Sequence, residues 1–222
     1  MKPILLLAVL ALGFPLVDTS TAQNEGKVEL RLLALPPRVA HPALNLLQGE
    51  GKALEVETAA NRLTGPYEVS RQQPWIFVPV GAAGGKAAVL ATCKPIASQN
   101  QLAVLVRNDG DAGTYKAFAL DLAKASFDER QFLMVNLSAN ELAAEVGGKR
   151  VALEPGKPVV VAPAADKGPD LCQVAVFTRK DDAWSPIFST AWPLRDKVRG
   201  LVFFYQDAAS GKILLHAVTD FM

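Results

Sequence analysis

The second half of the chain is a succession of short runs whose apolar residues are either continuous or fall at every other position. These runs lie near 131–137, 142–146, 149–153, 158–161, 171–178, 186–191, 201–206 and 212–218. A period of two sends successive side chains to opposite faces of an extended strand. In AEVGGKRVAL (144–153) and the residues before it, Leu142, Ala144 and Val146 alternate up to Gly147-Gly148. Val151 and Leu153 alternate after it. Two glycines accept the positive φ of a two-residue hairpin turn, so the pattern predicts a hairpin over 142–153. SANE (138–141) would also serve as a capping box for a short helix, but the glycines stop any helix within two turns. EPGKP (154–158) reads as a second turn. Apolar spacing of three and four never persists beyond two turns, which argues against a helical bundle. Many short strands with regular turn signals predict an all-β sandwich.

The pattern is written twice. ATCKPIASQNQLAVLVRNDGDAGTYKAFAL (91–120) lies over STAWPLRDKVRGLVFFYQDAASGKILLHAV (189–218) without a gap. Thr92 meets Thr190, Pro95 meets Pro193, Val104 meets Val202, Asp109 meets Asp207, Gly113 meets Gly211 and Ala119 meets Ala217, all at an offset of 98. GEGKALEV (49–56) matches GGKRVAL (147–153), and VELRLLAL (28–35) matches RQFLMVNL (130–137). Thr, Pro, Asp and Gly are not core-filling residues, so their common offset points to duplication. The alternative is one larger sandwich whose hairpins merely look alike. The expected fold is two tandem immunoglobulin-like, Greek-key β-sandwiches, over 27–122 and 130–222. Each holds about 95 residues, enough for seven or eight strands. The charged segment AKASFDER (123–130) between them is short, so the copies are expected to touch. GLVFFYQ (200–206) would aggregate as an exposed edge and is expected to be central or covered.

Composition narrows the class. Half the residues are hydrophobic and a fifth are charged, which excludes intrinsic disorder. A net charge of +1, with no basic stripe interleaved with aromatics, gives no electrostatic case for nucleic acid. At the start, Lys2 precedes an apolar run from Ile4 to Val17, and small residues stand at Ser20 and Ala22. This is the pattern of a signal peptide over 1–22, cleaved near Ala22, with Gln23 opening an exported (periplasmic or secreted) chain. The run is short for a membrane span and is broken by Gly13 and Pro15; an uncleaved anchor is the alternative. No later segment has the length of a transmembrane helix.

Candidate chemistry is sparse. NDGDAG (108–113) offers the oxygens of Asn108, Asp109 and Asp111 but lacks the closing glutamate of a calcium loop, and its counterpart QDAASG (206–211) has no second acid. A turn explains both. Cys93 and Cys172 fall in different copies, either as two buried thiols or as a bridge between copies. His41 and His216 have no zinc-like spacing and no nucleophile elbow accompanies them. Asp128-Glu129 and Asp181-Asp182 fall where charge is ordinarily solvated, and GAAGG (81–85) lacks a phosphate-loop continuation. No residue is assigned to catalysis, a cofactor or a metal.

One surface remains. WSPIFSTAWPLRDKVR (184–199) carries Trp184, Phe188 and Trp192 at every fourth position, followed by Arg195 and Arg199. On an unbroken strand the three aromatics share a face. The bland alternative is core; the functional one is an exposed strip for a protein partner or an envelope polymer. Lys86 and Lys94, the counterparts of the two tryptophans, are hard to bury, which favours an outward or junctional face. The leading expectation is therefore an exported, non-enzymatic interaction module. The alternative is a carbohydrate-binding or glycan-active accessory protein that stacks sugars on this strip.

Overall fold

A computed structural model describes residues 26–37, 39–48, 52–71, 74–82, 88–108, 113–163, 171–207 and 210–222. The leader predicted at 1–22 and most of the NDGDAG and GAAGG loops lie outside the described residues. The chain is all-β. Its first half holds β1 (Lys27–Leu35), β2 (Leu44–Leu47), β3 (Ala53–Val56), β4 (Thr64–Ser70), β5 (Trp75–Pro79), β6 (Ala91–Cys93), β7 (Asn100–Arg107) and β8 (Tyr115–Asp121). The second holds β9 (Phe132–Asn136), β10 (Leu142–Val146), β11 (Lys149–Leu153), β12 (Pro158–Val161), β13 (Leu171–Lys180), β14 (Ala183–Pro193), β15 (Val198–Gln206) and β16 (Ile213–Phe221). The strands read from the second half's apolar runs all form. So does the hairpin of β10 and β11, whose turn glycines take φ of 54° and 75°.

Each half is a pair of four-stranded sheets around its own core. In the first half a central sheet, β4-β1-β7-β8, packs on a flanking sheet, β3-β2-β5-β6. In the second the orders are β12-β9-β15-β16 and β11-β10-β13-β14. Adding eight to every strand number converts one half into the other. The likeness extends to a parallel pair at the centre of each half, β1 with β7 and β9 with β15. The duplication inferred from landmarks is thus present as a repeated topology.

The gapless offset is not. Leu30 pairs with Gln101, and Phe132 pairs with Gly200, so β7 maps onto β15 with a shift of 99. β8 maps onto β16 with a shift of 98: Ala119 faces Ala103 as Ala217 faces Val202. The hairpin loop of the second half is one residue shorter. Asn108 donates its N–H to Thr114 in one loop, and Asp207 to Lys212 in the other. Asp207 therefore takes the place of Asn108, not of Asp109. A slip of one residue reverses every side chain of a strand. Under the gapless reading Val104, which faces the junction between halves, falls on Val202, which faces the second half's own core.

A third core joins the halves. The two central sheets meet face to face through Leu33, Leu35, Leu102 and Val104 on one side and Leu133, Val135, Leu201 and Phe203 on the other. The order of layers is flanking, central, central, flanking. Phe127 of the connecting segment is fully buried in this junction, so the charged connector is also an anchor. Strand β15 lies between β9 and β16 and is covered on both faces, as GLVFFYQ required.

Candidate functional site

Strand β14 forms the free edge of the second half's flanking sheet. It leaves β13 through Asp181-Asp182, both at positive φ (49° and 62°), a twist that suits a two-residue hairpin. Cys172 then faces Trp192, Val174 faces Thr190 and Val176 faces Phe188, but Phe177 faces Pro186. Ile187 is the extra residue of a β-bulge.

That bulge corrects the expected aromatic strip. Directly opposed residues share a face. Phe188 and Trp192 lie on the face of Val176 and Cys172 and pack against the second core. Trp184 lies opposite Arg179, on the outward face with Phe177. A period of two relates Trp184 to Phe188 only if no residue intervenes, and Ile187 does. Trp184 remains 41% exposed. The guanidinium of Arg150 stands 5.4 Å from its ring centroid and 5.2 Å from that of Phe177, a cation–π bridge along the outward face. Ile187 and Leu171 are also exposed on this sheet. The edge itself is blunted by Pro186 and the bulge, both of which disfavour pairing with a further strand.

The basic end divides as well. Arg199, expected on the surface strip, is buried. Its Nε donates to Asp220 Oδ2 (2.8 Å), its Nη1 to the carbonyls of Leu122 (2.9 Å) and Phe127, and its plane lies over the Phe127 ring. Arg31 of the first half binds the other oxygen of Asp220 at 2.7 Å. These contacts fasten the connector and both halves, so Arg199 is not available to a partner. Arg195 is exposed and makes no ion pair among the described residues.

Behind β14 lies a cavity of about 290 Å³, opening between β14 and β16. Phe132, Trp192, Leu194, Val202 and Ala217 supply its apolar wall, and Arg130 and Arg195 line it from the solvent side. The Phe132 and Trp192 rings stand 4.9 Å apart, tilted by 56°. Gly200 is part of the wall, and a Cβ there would meet the Phe132 ring at 2.6 Å.

The same place in the first half is filled. Gln101, the counterpart of Gly200, is fully buried. Its Nε2 donates to the carbonyls of Ile96 (2.9 Å) and Ser98 (2.7 Å), and its Oε1 accepts from the Ile96 N–H (2.9 Å). It ties the loop before β7 across the end of the sandwich. Strand β6 also touches β8, and Tyr115 donates its N–H to the Leu90 carbonyl. Sequence reading passed over this difference, although Gln101 in QNQLAVLV against Gly200 in VRGLVFF was visible.

The remaining polar candidates have structural occupations. His41 Nε2 lies 2.9 Å from the Pro36 carbonyl, which can only accept, so the proton sits there and Nδ1 accepts from the Tyr115 hydroxyl. Burial lowers its pKa below 6.5, against the Pro36 carbonyl, which raises it. His216 Nε2 likewise contacts the Ala60 carbonyl across the junction. Cys93 and Cys172 are buried thiols with no disulfide between them, and burial pushes the Cys93 thiol up to about 12, far from a reactive thiolate. Burial opposes ionisation of Asp121, but hydrogen bonds from Ser126, Ser98 and the Ala123 N–H, with the charge of Arg199, hold it below 3.8. Among the described residues no three His, Cys, Asp or Glu side chains gather as a metal site, and no helix is long and apolar enough to cross a membrane. No family model and no curated protein matches the chain.

Proposed function

We propose that this protein is an exported, non-enzymatic interaction module of the cell envelope, built from two immunoglobulin-like sandwiches, whose outward β13–β14 face contacts a protein partner. The observation that carries the reading is the exposed Trp184, held by Arg150 beside Phe177 on the sheet, with exposed Ile187 on the same strand. Tryptophan and arginine are the side chains that dominate binding energy at protein interfaces. The blunted edge directs contact to the face rather than to strand addition. The glycan alternative needs a flat run of aromatics, and the bulge at Ile187 separates Trp184 from Phe188 and Trp192. Geometry therefore favours the protein partner.

A photo-crosslinking residue at Ser189, which lies opposite Ala175 on the outward face, in the full chain in its own envelope, tests the contact. One dominant adduct that disappears in the Trp184→Ala variant supports it; no adduct above background contradicts it. N-terminal sequencing of the mature protein tests export. Gln23 as the first residue supports it, and retention of Met1 contradicts it.

A further inference from the structure

We propose that the cavity between β14 and β16 is a binding site for a small carboxylate with an aromatic body. The first half serves as an internal control. Both halves share one topology, so Leu30 with Gln101 and Phe132 with Gly200 occupy the same place. In the first half the glutamine fills the end of the sandwich and ties down its loop. In the second the side chain is gone and the Phe132 ring stands over the bare glycine backbone. About 290 Å³ stays open beside Trp192. An engineered apolar cavity of about 150 Å³ takes one benzene, so this one has room for a ring with a short side arm.

Charge sets the polar end of the ligand. Three arginines line the cavity and, among the described residues, no acidic side chain does. Arg199 is neutralised by Asp220 and Arg130 is paired with Asp196 at 2.9 Å, which leaves Arg195 to meet an anion. A ring between Phe132 and Trp192 and a carboxylate on Arg195 satisfy the site together. This proposal does not rest on the partner-binding reading, because Trp184 lies on the opposite face of the sheet.

Calorimetric titration of the mature chain with 3-phenylpropionate tests it, with neutral 3-phenylpropanamide as the charge control. The expected result is saturable binding of the acid at one site. Arg195→Gln, an exposed change that leaves the fold intact, weakens the acid about tenfold and leaves the amide unchanged. Phe132→Leu combined with Gly200→Gln restores the pair found in the first half and abolishes binding of both probes. Trp184→Ala changes neither. No saturable binding by the wild-type chain at millimolar probe overturns the proposal. So does binding of the acid that is as tight in Arg195→Gln as in the wild-type chain.

Discussion

The two halves of this molecule are the same sandwich used for different ends. They share strand order, a central parallel pair and a face given to the junction. They part where the sandwich opens. The first half closes itself with Gln101, whereas the second has Gly200 and an aromatic-walled cavity at that point. The first half's β6 is three residues long, and the second half's β14 runs to eleven and carries Trp184 outward. One copy is closed for packing and the other holds the surface and the cavity from which function is proposed. Duplication permits this division: two related sandwiches share the cost of folding, and one is free to lose internal contacts.

The largest expected effect falls on what the halves share. Phe203 is fully buried in the junction. Phe203→Ala should cost about 4 kcal/mol, read as a lower urea midpoint for the whole chain. A loss confined to second-half signals would show that the junction does not couple the halves.

Arg199→Ala comes next. It strips Asp220 of one partner and frees the connector carbonyls, at a cost of about 3 kcal/mol. Its counterpart in the first half is Asn100, whose side chain has no such duty, so Asn100→Ala should cost under about 0.5 kcal/mol. Equal losses at the two positions would remove the distinction drawn between them.

Gln101→Ala should cost about 2 kcal/mol, because the part-buried Ile96 N–H and the loop lose their partner. Faster hydrogen exchange over 94–99, without change around 192–197, is the matching local signature.

Acid should weaken the whole chain through two groups of the first half. The folded values of His41 and Asp121 are both lowered. Each contributes stability that is complete above its ordinary value, 6.5 for the histidine and 3.8 for the aspartate. Each contribution is lost as the pH falls through the folded value. Urea midpoints should therefore decline in two steps, one beginning as the pH falls below 6.5 and one as it falls below 3.8, and Asp121→Asn should flatten the lower one while reducing stability at neutral pH. The smallest effect is that of Trp184→Ala, within about 0.5 kcal/mol of wild type, consistent with a surface kept for contact rather than for folding.

Much of this architecture was legible because strands announce themselves by alternation and by glycine turns. The β10–β11 hairpin followed from Gly147-Gly148, and the repeat from landmark residues. The junction was legible in part. RLLAL, FLMV and GLVFFYQ are apolar at consecutive positions, the mark of strands buried on both faces, yet they do not say what covers the second face. The register error arose because turn residues recur at similar spacing even when one loop is a residue shorter. The aromatic strip failed for a related reason: a period of two holds only along an unbroken strand, and nothing in WSPIFSTAW marks Ile187 as a bulge. Arg199 was misplaced because an arginine reads as surface until a buried acid and free carbonyls are found to face it. The cavity was missed because it is a difference between copies and was sought in neither.

The central claim is that a shared core makes two different sandwiches one folding unit. Trp75 reports on the first half's core and Trp192 on the second's. Urea unfolding of two variants settles the matter, one keeping Trp75 alone by Trp184→Phe and Trp192→Phe, the other keeping Trp192 alone by Trp75→Phe and Trp184→Phe. In each, fluorescence is followed with far-ultraviolet circular dichroism. The account predicts that fluorescence and circular dichroism change together in both variants, in a single transition. A fluorescence midpoint displaced from the main circular dichroism transition in either variant, with a second transition in the dichroism, would contradict it.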